Sequence, residues 1–587
     1  MIKIVTGKIH SYKTTRLIQH YLLTRTGDGF VSIKFMKESV VSHYDLQRLS
    51  TGETFPFVIR ENEILPVHNV RCQIGPYCFL ESGFQIVEAS ILEMIDKGVS
   101  PIYLDEIGLL EREEKGFSKL FQTLIDRGTD LCVVIRKDIL PEILKRYHIK
   151  DYEIIGDSMY DIAIINGNVW MNHGYARTNI YVQNDRIVNI SNEVFEASEV
   201  IDVKGDLVMP GLIDPHVHFK LNLGPIQSRD DFFHGSKQAA LGGVSIYIDF
   251  LDPVDNPEDL EKAYYQRKSE VEQSYVDYFF HATLKQPKCD LEEFVKKMLS
   301  LKIYSLKVFT TYSDSGRRTD DKAIIELLKL SEMYHFLLLV HAENDYLIDL
   351  NTIYTYLDLP NSRPSEAEVI EALKLASYVR QYGGFLYMVH VSSGQTIQAL
   401  MSEYSDIINT KFFIESCPQY FYFTRDDLLT EKGYLYTFAP PVRTKEEQQL
   451  LKRHIDSIYG IGTDHCAFHQ EDKMNLPLYK MPLGIGGIEF SFDMMYAMFG
   501  DKVINKMSEN IAKLYPNCQF TGSMNVGNFA NIFVYHLEEN TISLSHGSAN
   551  YSLYKDKARK GYVRHHMVRG KWVLKNNNLC KPIGEEI

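Results

Sequence analysis

The chain has 587 residues, of which 45% are hydrophobic and 24% charged, a globular composition too long for one ordinary core, so two or more domains are expected. A net charge of -14 with no long basic run argues against nucleic acid as a partner. The 8 cysteines are scattered without a C-x-x-C pair, the N-terminus has no signal-type apolar core, and no apolar stretch approaches the roughly 20 residues that span a bilayer; a cytoplasmic protein with no membrane partner is expected.

The first unit, expected over 1–157, opens with a β-type run, Ile2 to Thr6, then a glycine-containing loop and a helix-like stretch from Thr15. Further apolar runs, Pro101 to Leu104 and Leu131 to Ile135, alternate with helix-like segments, which predicts a parallel α/β sheet. The loop, Gly7 to Thr14, nearly fits the phosphate-binding pattern G-x-x-x-x-G-K-[ST] between a strand and a helix. Lys13 would reach the phosphates and Thr14 a Mg²⁺ ion, with Asp105 as the second Mg²⁺-orienting carboxylate and Glu106 placing a water. The glycine before the lysine is Tyr12, which takes up left-handed backbone much less readily than glycine. YLDEIGLLEREEKGF resembles the matching segment of a small P-loop nucleoside-triphosphatase family. A magnesium-bound nucleotide is therefore the ligand considered for this unit, against a domain retained for structure or assembly.

From Asp161 the pattern changes. DIAIINGNVWM, TNIYVQNDRIVNI and VIDVKGDLVM read as short strands joined by Asn, Gly and Asp turns, and similar segments return in NIFVYHL, TISLS and YVRHHMVRGKWVL. One β-sandwich built from both ends, 158–209 with 525–587, is predicted. Between them lie eight apolar β-type runs separated by helix-length spacers: GLIDPHVHF, VSIYIDF, VDYFFHATL, YSLKVFTTY, FLLLVHAEN, FLYMVHVSS, KFFIESCPQY and IYGIGTDHC. That is the count for a (β/α)8 barrel over 210–524.

Polar residues collect where these runs end: His216 and His218 on the first, Lys307 on the fourth, His341 on the fifth, His390 on the sixth and Asp464 on the eighth. In such a barrel the C-terminal strand ends share one face. Alternate residues of a strand point the same way, so His216 and His218 can grip one ion. Imidazole and carboxylate suit zinc-like ions, and two ions roughly 3.5–4 Å apart can activate water and polarise a carbonyl. An ammonium cannot ligate, whereas a carbamylated Lys307 would offer two anionic oxygens to both ions.

PGLIDPHVHF resembles the first-strand signature of the amidohydrolases, and RDDFFHGSKQAALGGVSIYIDF is similar to the hydantoinase/dihydropyrimidinase pattern. SLKVFTTY looks like that family's carbamylated-lysine strand, and NSRPSEAEVIEALKLA, FLYMVHVSS, ESCPQYFYFT, APPVRTKEE and GTDHCAF follow in the family's order, so the resemblance runs from about Asp161 to the C-terminus. It implies that His216, His218 and Asp464 hold one divalent ion, His341 and His390 the other, and carbamylated Lys307 both, with zinc as the expected metal. It further implies that Asp464 shuttles the proton and that Tyr312 hydrogen-bonds the oxyanion. Ala439 and Leu483 stand where the family commonly has Ser and Asn against the substrate imide, which puts the substrate's identity more in doubt than the chemistry. Lys220, where the dihydroorotase branch usually has Arg, could meet an anionic substituent.

The resemblance thus implies a metal-dependent hydrolase of small cyclic ureides or imides, expected as a homo-oligomer. Allantoinase- and dihydroorotase-type ring hydrolases are kept as alternatives, as are a non-catalytic scaffold with a nucleotide-sensing N-terminal domain and a nucleotide switch acting on a partner. The complete set of six ligand positions separates the enzyme from the scaffold.

Overall fold

The structure is a computed structural model that describes residues 1–7, 13–37, 40–155 and 160–587. Its contacts divide into two compact units, Met1–Ala163 with Phe195–Glu199, and Ile164–Val194 with Val200–Ile587.

The first unit carries a nine-stranded sheet among the described residues. Ile2–Gly7 pairs in parallel with Leu131–Arg136 on one side and Tyr152–Ile154 on the other, and Leu131–Arg136 pairs in turn with Ile102–Ile107. Leu131–Arg136 and most of Ile102–Ile107 are buried on both faces, as strands under helices should be, while Tyr152–Ile154 is an exposed edge. Sequence reading foresaw this parallel part. It did not resolve residues 28–80, where Asp28–Lys37 joins Ile102–Ile107 in parallel and then starts an antiparallel series through Val40–Arg48, Thr54–Arg60, Tyr77–Leu80 and Val70–Ile74. Helix Glu81–Asp96 packs Phe84, Val87, Ile91 and Met94 into the core with Phe57 and Phe117.

Strands from 160–210 and 532–579, most of them in the second unit, form one nine-stranded sheet, so the two ends of the region meet as expected. The join is antiparallel, Leu207–Pro210 against Ile532–Tyr535. YVRHHMVRGKWVL divides at Arg569-Gly570, both with positive φ, into two antiparallel strands.

The region between them is the barrel. Leu212–Val217, Val244–Phe250, Asp277–Thr283, Ser305–Phe309, Leu337–His341, Leu386–Met388, Phe412–Ser416 and Gly460–Ile461 pair in chain order, all parallel. A parallel bridge between Val217 and His465 brings the eighth run back to the first. Strand alternation sorts the side chains. Leu306, Val308, Leu338 and Val340 point outward into a core shared with the helices, while Ile213, Ile246, Ile248, Leu339 and Val389 point inward, where Ile511 and Tyr515 pack against them. The helices start where the sequence offers a cap: Asp231, Asn256, Asp290, Asp320 and Thr444 each accept a backbone N–H in the first turn, worth about 1 kcal/mol apiece. No helix among the described residues is long and apolar enough to cross a membrane.

Candidate metal centre

The inward face of the strands changes character along the barrel. Ser305, Lys307 and Phe309 share one face of the fourth strand, and Leu337, Leu339 and His341 the facing one of the fifth, with Lys307 in register with Leu339 and Phe309 with His341. Lys307 lies midway along its strand, and His216, His218, His341, His390 and Asp464 lie at or just beyond the ends of theirs, so the chemistry gathers at the C-terminal mouth. There His216, His218, Lys307, Tyr312, His341, His390, Ala439, Asp464 and Leu483 line a single cavity of about 290 Å³. The second-unit site residues expected from sequence are all brought together.

His216 Nε2, His218 Nε2 and Asp464 Oδ1 form a triangle with all three separations 3.3 Å, and these are ligand atoms close enough to hold one ion. The His341 and His390 rings lie 4.5 Å apart between centroids. Burial pulls the pKa of His216 and His390 well below the ordinary histidine value and lowers that of His341, so each ring keeps a lone pair for a metal. The second ring nitrogens are oriented by carboxylates: His216 Nδ1–H donates to Glu415 Oε1 at 2.9 Å and His341 Nε2–H to Glu343 Oε2 at 2.6 Å. This outer arrangement fixes the tautomer and is typical of metal-bound histidine. Buried Nδ1 atoms of His218 and His390 have no hydrogen-bond partner among the described residues. The donor set therefore fits divalent ions.

Lys307 is 2% exposed. Burial lowers its pKa to about 8, with Asp464 and Glu415 pulling the other way. Its Nζ makes no ion pair among the described residues and lies 5.3 Å from the Phe250 ring centre and 5.5 Å from that of Phe309. A lysine with this much neutral amine at pH 7–8 can take up CO₂. Tyr312 has its phenol pKa raised by burial, so it stays a hydrogen-bond donor. Asp464 resists the upward pull of burial because His216 and His218 hold it below the ordinary carboxylate value.

Several residues that matter here were missed in the sequence. Glu415 also accepts the His390 backbone N–H at 3.0 Å; its signal was a lone acid inside the apolar run KFFIES. Glu343 is ion-paired with buried Arg363. His465 anchors the loop of Asp464, with Nε2–H donating to Asp230 at 2.9 Å and Nδ1 accepting from Gly487 at 3.1 Å and Ile488 at 3.2 Å. Fully buried Lys473 donates to the carbonyls of Thr437 at 2.8 Å and Gly484 at 2.6 Å, tying together the segments that carry Ala439 and Leu483. Lys220 is a correction: it does not line the cavity. Its backbone sits at φ 48 with its N–H on the carbonyl of Asp230, in the turn that leads away from the histidines.

In the first unit, Gly7 ends the first strand and Lys13 and Thr14 open the following helix. Thr14 Oγ1 donates to Asp105 Oδ2 at 2.7 Å, across 91 residues of sequence. Asp105 also accepts from the backbone of Ser32 at 3.1 Å and of Glu106 at 2.9 Å. Half-buried Lys13 has its pKa lowered by burial against the pull of Glu106 and Asp105. Glu106 lies at φ 64 on the strand end. Tyr12 lies outside the described residues.

Comparison with known proteins adds the following. The amidohydrolase family profile matches residues 207–573, and a nucleoside-triphosphatase family profile matches residues 3–165. The chain is 28% identical over 442 residues to D-hydantoinase of Rhizobium radiobacter, covering 70% of this chain and 95% of that protein. It is 28% identical over 456 residues to D-hydantoinase of Geobacillus stearothermophilus, covering 71% and 94%. Among solved structures, D-hydantoinase from a Bacillus species superposes with a TM-score of 0.69 at 25% identity, over 73% of this chain and 98% of that one. Dihydropyrimidinase from Brevibacillus agri superposes with a TM-score of 0.68 at 25% identity, over 72% and 98%.

Proposed function

The chain belongs to the amidohydrolase family, and on that premise we propose that it is a metal-dependent hydrolase that opens small cyclic ureides or imides. The observation that carries this is the convergence of six candidate ligand side chains from the ends of five barrel strands on one cavity, together with relatives named hydantoinase and dihydropyrimidinase.

His216, His218 and Asp464 would hold one ion, His341 and His390 the other, and a carbamate on Lys307 both; zinc is the metal proposed. Bound there, two divalent ions supply an activated water and a polarised carbonyl. The chain's own groups do the rest. Glu415 and Glu343 hold the histidine rings in the ligating tautomer. Asp464, kept ionised, takes the proton of the attacking water and returns it to the leaving ring nitrogen, as general base and then acid. Tyr312 donates its phenol proton as a hydrogen bond to the oxygen on which charge develops. Ala439 and Leu483 present the segments tied by Lys473 to the ring. Overall, water adds OH to the acyl carbon and H to the nitrogen, and the C–N bond opens.

The test is a panel of hydantoins, dihydropyrimidines, dihydroorotate and allantoin offered to metal-replete protein reconstituted with bicarbonate. Turnover that disappears in Asp464→Asn supports the reading; no turnover of any ring by fully metallated protein would favour a scaffold. Cytoplasmic residence and a homo-oligomeric assembly belong to the same reading.

For the first unit we propose a magnesium-bound nucleotide at Gly7, Lys13, Thr14, Asp105 and Glu106. The bond between Thr14 and Asp105 favours it, because a hydroxyl and a carboxylate meeting beside the helix start are the pair that a Mg²⁺ ion and its water would use. Calorimetry with ATP and GTP in the presence of Mg²⁺ tests it.

A further inference from the structure

We propose that the cavity selects rings bearing an anionic substituent and that Arg317 is the group that recognises it, an inference that rests on the ring-hydrolase reading above. Arg317 lines the cavity on the loop that carries Tyr312. Neighbouring arginines are all spoken for: Arg318 pairs with Asp345 at 3.4 Å, Arg443 with Glu368 at 3.7 Å, and Arg363 with Glu343. The guanidinium of Arg317 makes no ion pair or side-chain hydrogen bond among the described residues.

The loop that presents it is well held. The backbone N–H of Arg317 donates to the carbonyl of Tyr312 at 3.0 Å, closing a turn through Gly316 at φ 67. Asp345 grips the same loop by accepting from Ser313 N at 3.2 Å and Thr311 Oγ1 at 3.3 Å as well as from Arg318. Arg317 is therefore half-buried on a held loop, without an ion-pair partner among the described residues, in a wall that also carries Leu221, Leu223, Phe309, Met481 and Leu483. Asp252, the remaining charged residue of the outer wall, is exposed and couples to Arg267. A guanidinium in the cavity wall with no ion-pair partner among the described residues can form a charge-assisted pair when a ligand brings an anion.

The geometry assigns the anion's chemistry. The reacting amide must face the histidines and Tyr312, so the ring substituent faces the outer wall. A guanidinium presents a planar fork that matches a carboxylate with two parallel hydrogen bonds. The substrate class is thus a cyclic ureide or imide with a carboxylate on a short arm, and its hydrolysis product is an open-chain dicarboxylate.

The test uses hydantoin-5-acetate and hydantoin-5-acetamide, which differ in charge and hardly in shape. Wild-type metal-replete protein is expected to favour the acetate in kcat/KM by roughly tenfold or more, and Arg317→Met is expected to lower that ratio by roughly ten- to a hundredfold, mainly through KM for the acetate, with Arg317→Lys in between. Equal kcat/KM for the two rings in wild type, or an equal loss for both in Arg317→Met, overturns the assignment. Calorimetry on the same pair supplies a readout without turnover. If neither ring is hydrolysed, the hydrolase reading is judged on the wider panel above, while tighter binding of the acetate that Arg317→Met abolishes still supports Arg317. No binding of the acetate, or binding indifferent to Arg317, overturns it.

Discussion

Asp230 offers the sharpest measurement of how the active loop is held. Its carboxylate is 1% exposed. Burial alone would raise its pKa, but the hydrogen bond from His465, the backbone N–H of Ser548 and the amide of Gln238 at 2.8 Å bring it down to about 2, against an ordinary 3.8. The folded value lies below the unfolded one, so between the two the unfolded chain binds more protons and stability rises with pH. At about 1.4 kcal/mol per unit, the carboxylate contributes about 2 kcal/mol at pH 7 and about 1 kcal/mol at pH 3, and nothing below both values. Asp230→Asn is therefore expected to cost about 2 kcal/mol at pH 7, with the gap to wild type closing as pH falls through 4 toward 2. Urea unfolding followed by tryptophan fluorescence measures it cleanly, because the 2 tryptophans, Trp170 and Trp572, both lie in the second unit. A gap that stays constant from pH 7 to pH 3 would refute the reasoning, since the loss would then come from packing and not from a carboxylate held ionised.

Elemental analysis of protein reconstituted with bicarbonate is expected to give about two divalent ions per chain; Lys307→Ala should lose metal, with partial rescue by short carboxylic acids, and metal retained in full by that variant would remove the carbamate from the site. Tyr312→Phe is expected to lower kcat by roughly 10²–10³ with a smaller change in KM, because the oxyanion exists only beyond the ground state; near-wild-type kcat in steady-state assays excludes the phenol. Thr14→Ala should weaken Mg²⁺-nucleotide binding by roughly tenfold or more, the loss of a charge-assisted contact, and calorimetric affinity unchanged in that variant would place any nucleotide elsewhere.

Why so much of the second unit was readable, and why part of the site was not, has a physical explanation. A barrel strand buried on both faces must be apolar, so each polar residue in GLIDPHVHF, YSLKVFTTY or FLLLVHAEN stands out against its run. Its position along the run then says which end of the barrel it occupies. Glu415 obeyed the same rule in KFFIES and could have been found. Asp230 and His465 could not be assigned roles that way, because they act through each other across 235 residues of sequence, and the Arg363 that fixes Glu343 lies 20 residues on. The contrast between Lys220 and Arg317 makes the point again. Lys220 drew notice by its nearness in sequence to His218, yet a left-handed turn carries it off the cavity, while Arg317 stands beside another arginine and only three dimensions distinguish the paired one from the free one. In the first unit the strand that ends in Asp105-Glu106 was legible for the same reason as the barrel strands. The antiparallel series over 28–80 was not, since its runs are only half-buried and mix polar with apolar residues.

Backbone conformation ties these observations to function. Tyr312 at φ 68, His390 at φ 43 and Asp464 at φ 51 all occupy the left-handed region, which costs a non-glycine residue about 1 kcal/mol or more. Each is held there by its neighbours. The turn closed by Arg317 holds Tyr312, the carboxylate of Glu415 takes the N–H of His390, and the Asp230–His465 pair secures the residue after Asp464. Ordinary extended backbone would have continued the strands and sent these side chains to alternate faces of the sheet. Turning the chain at the strand ends aims all three into one cavity. Left-handed backbone thus falls on the residue proposed for the oxyanion, on one proposed metal ligand and on the residue proposed for the proton. His216 and His341, which ordinary strand geometry already aims inward, are spared it.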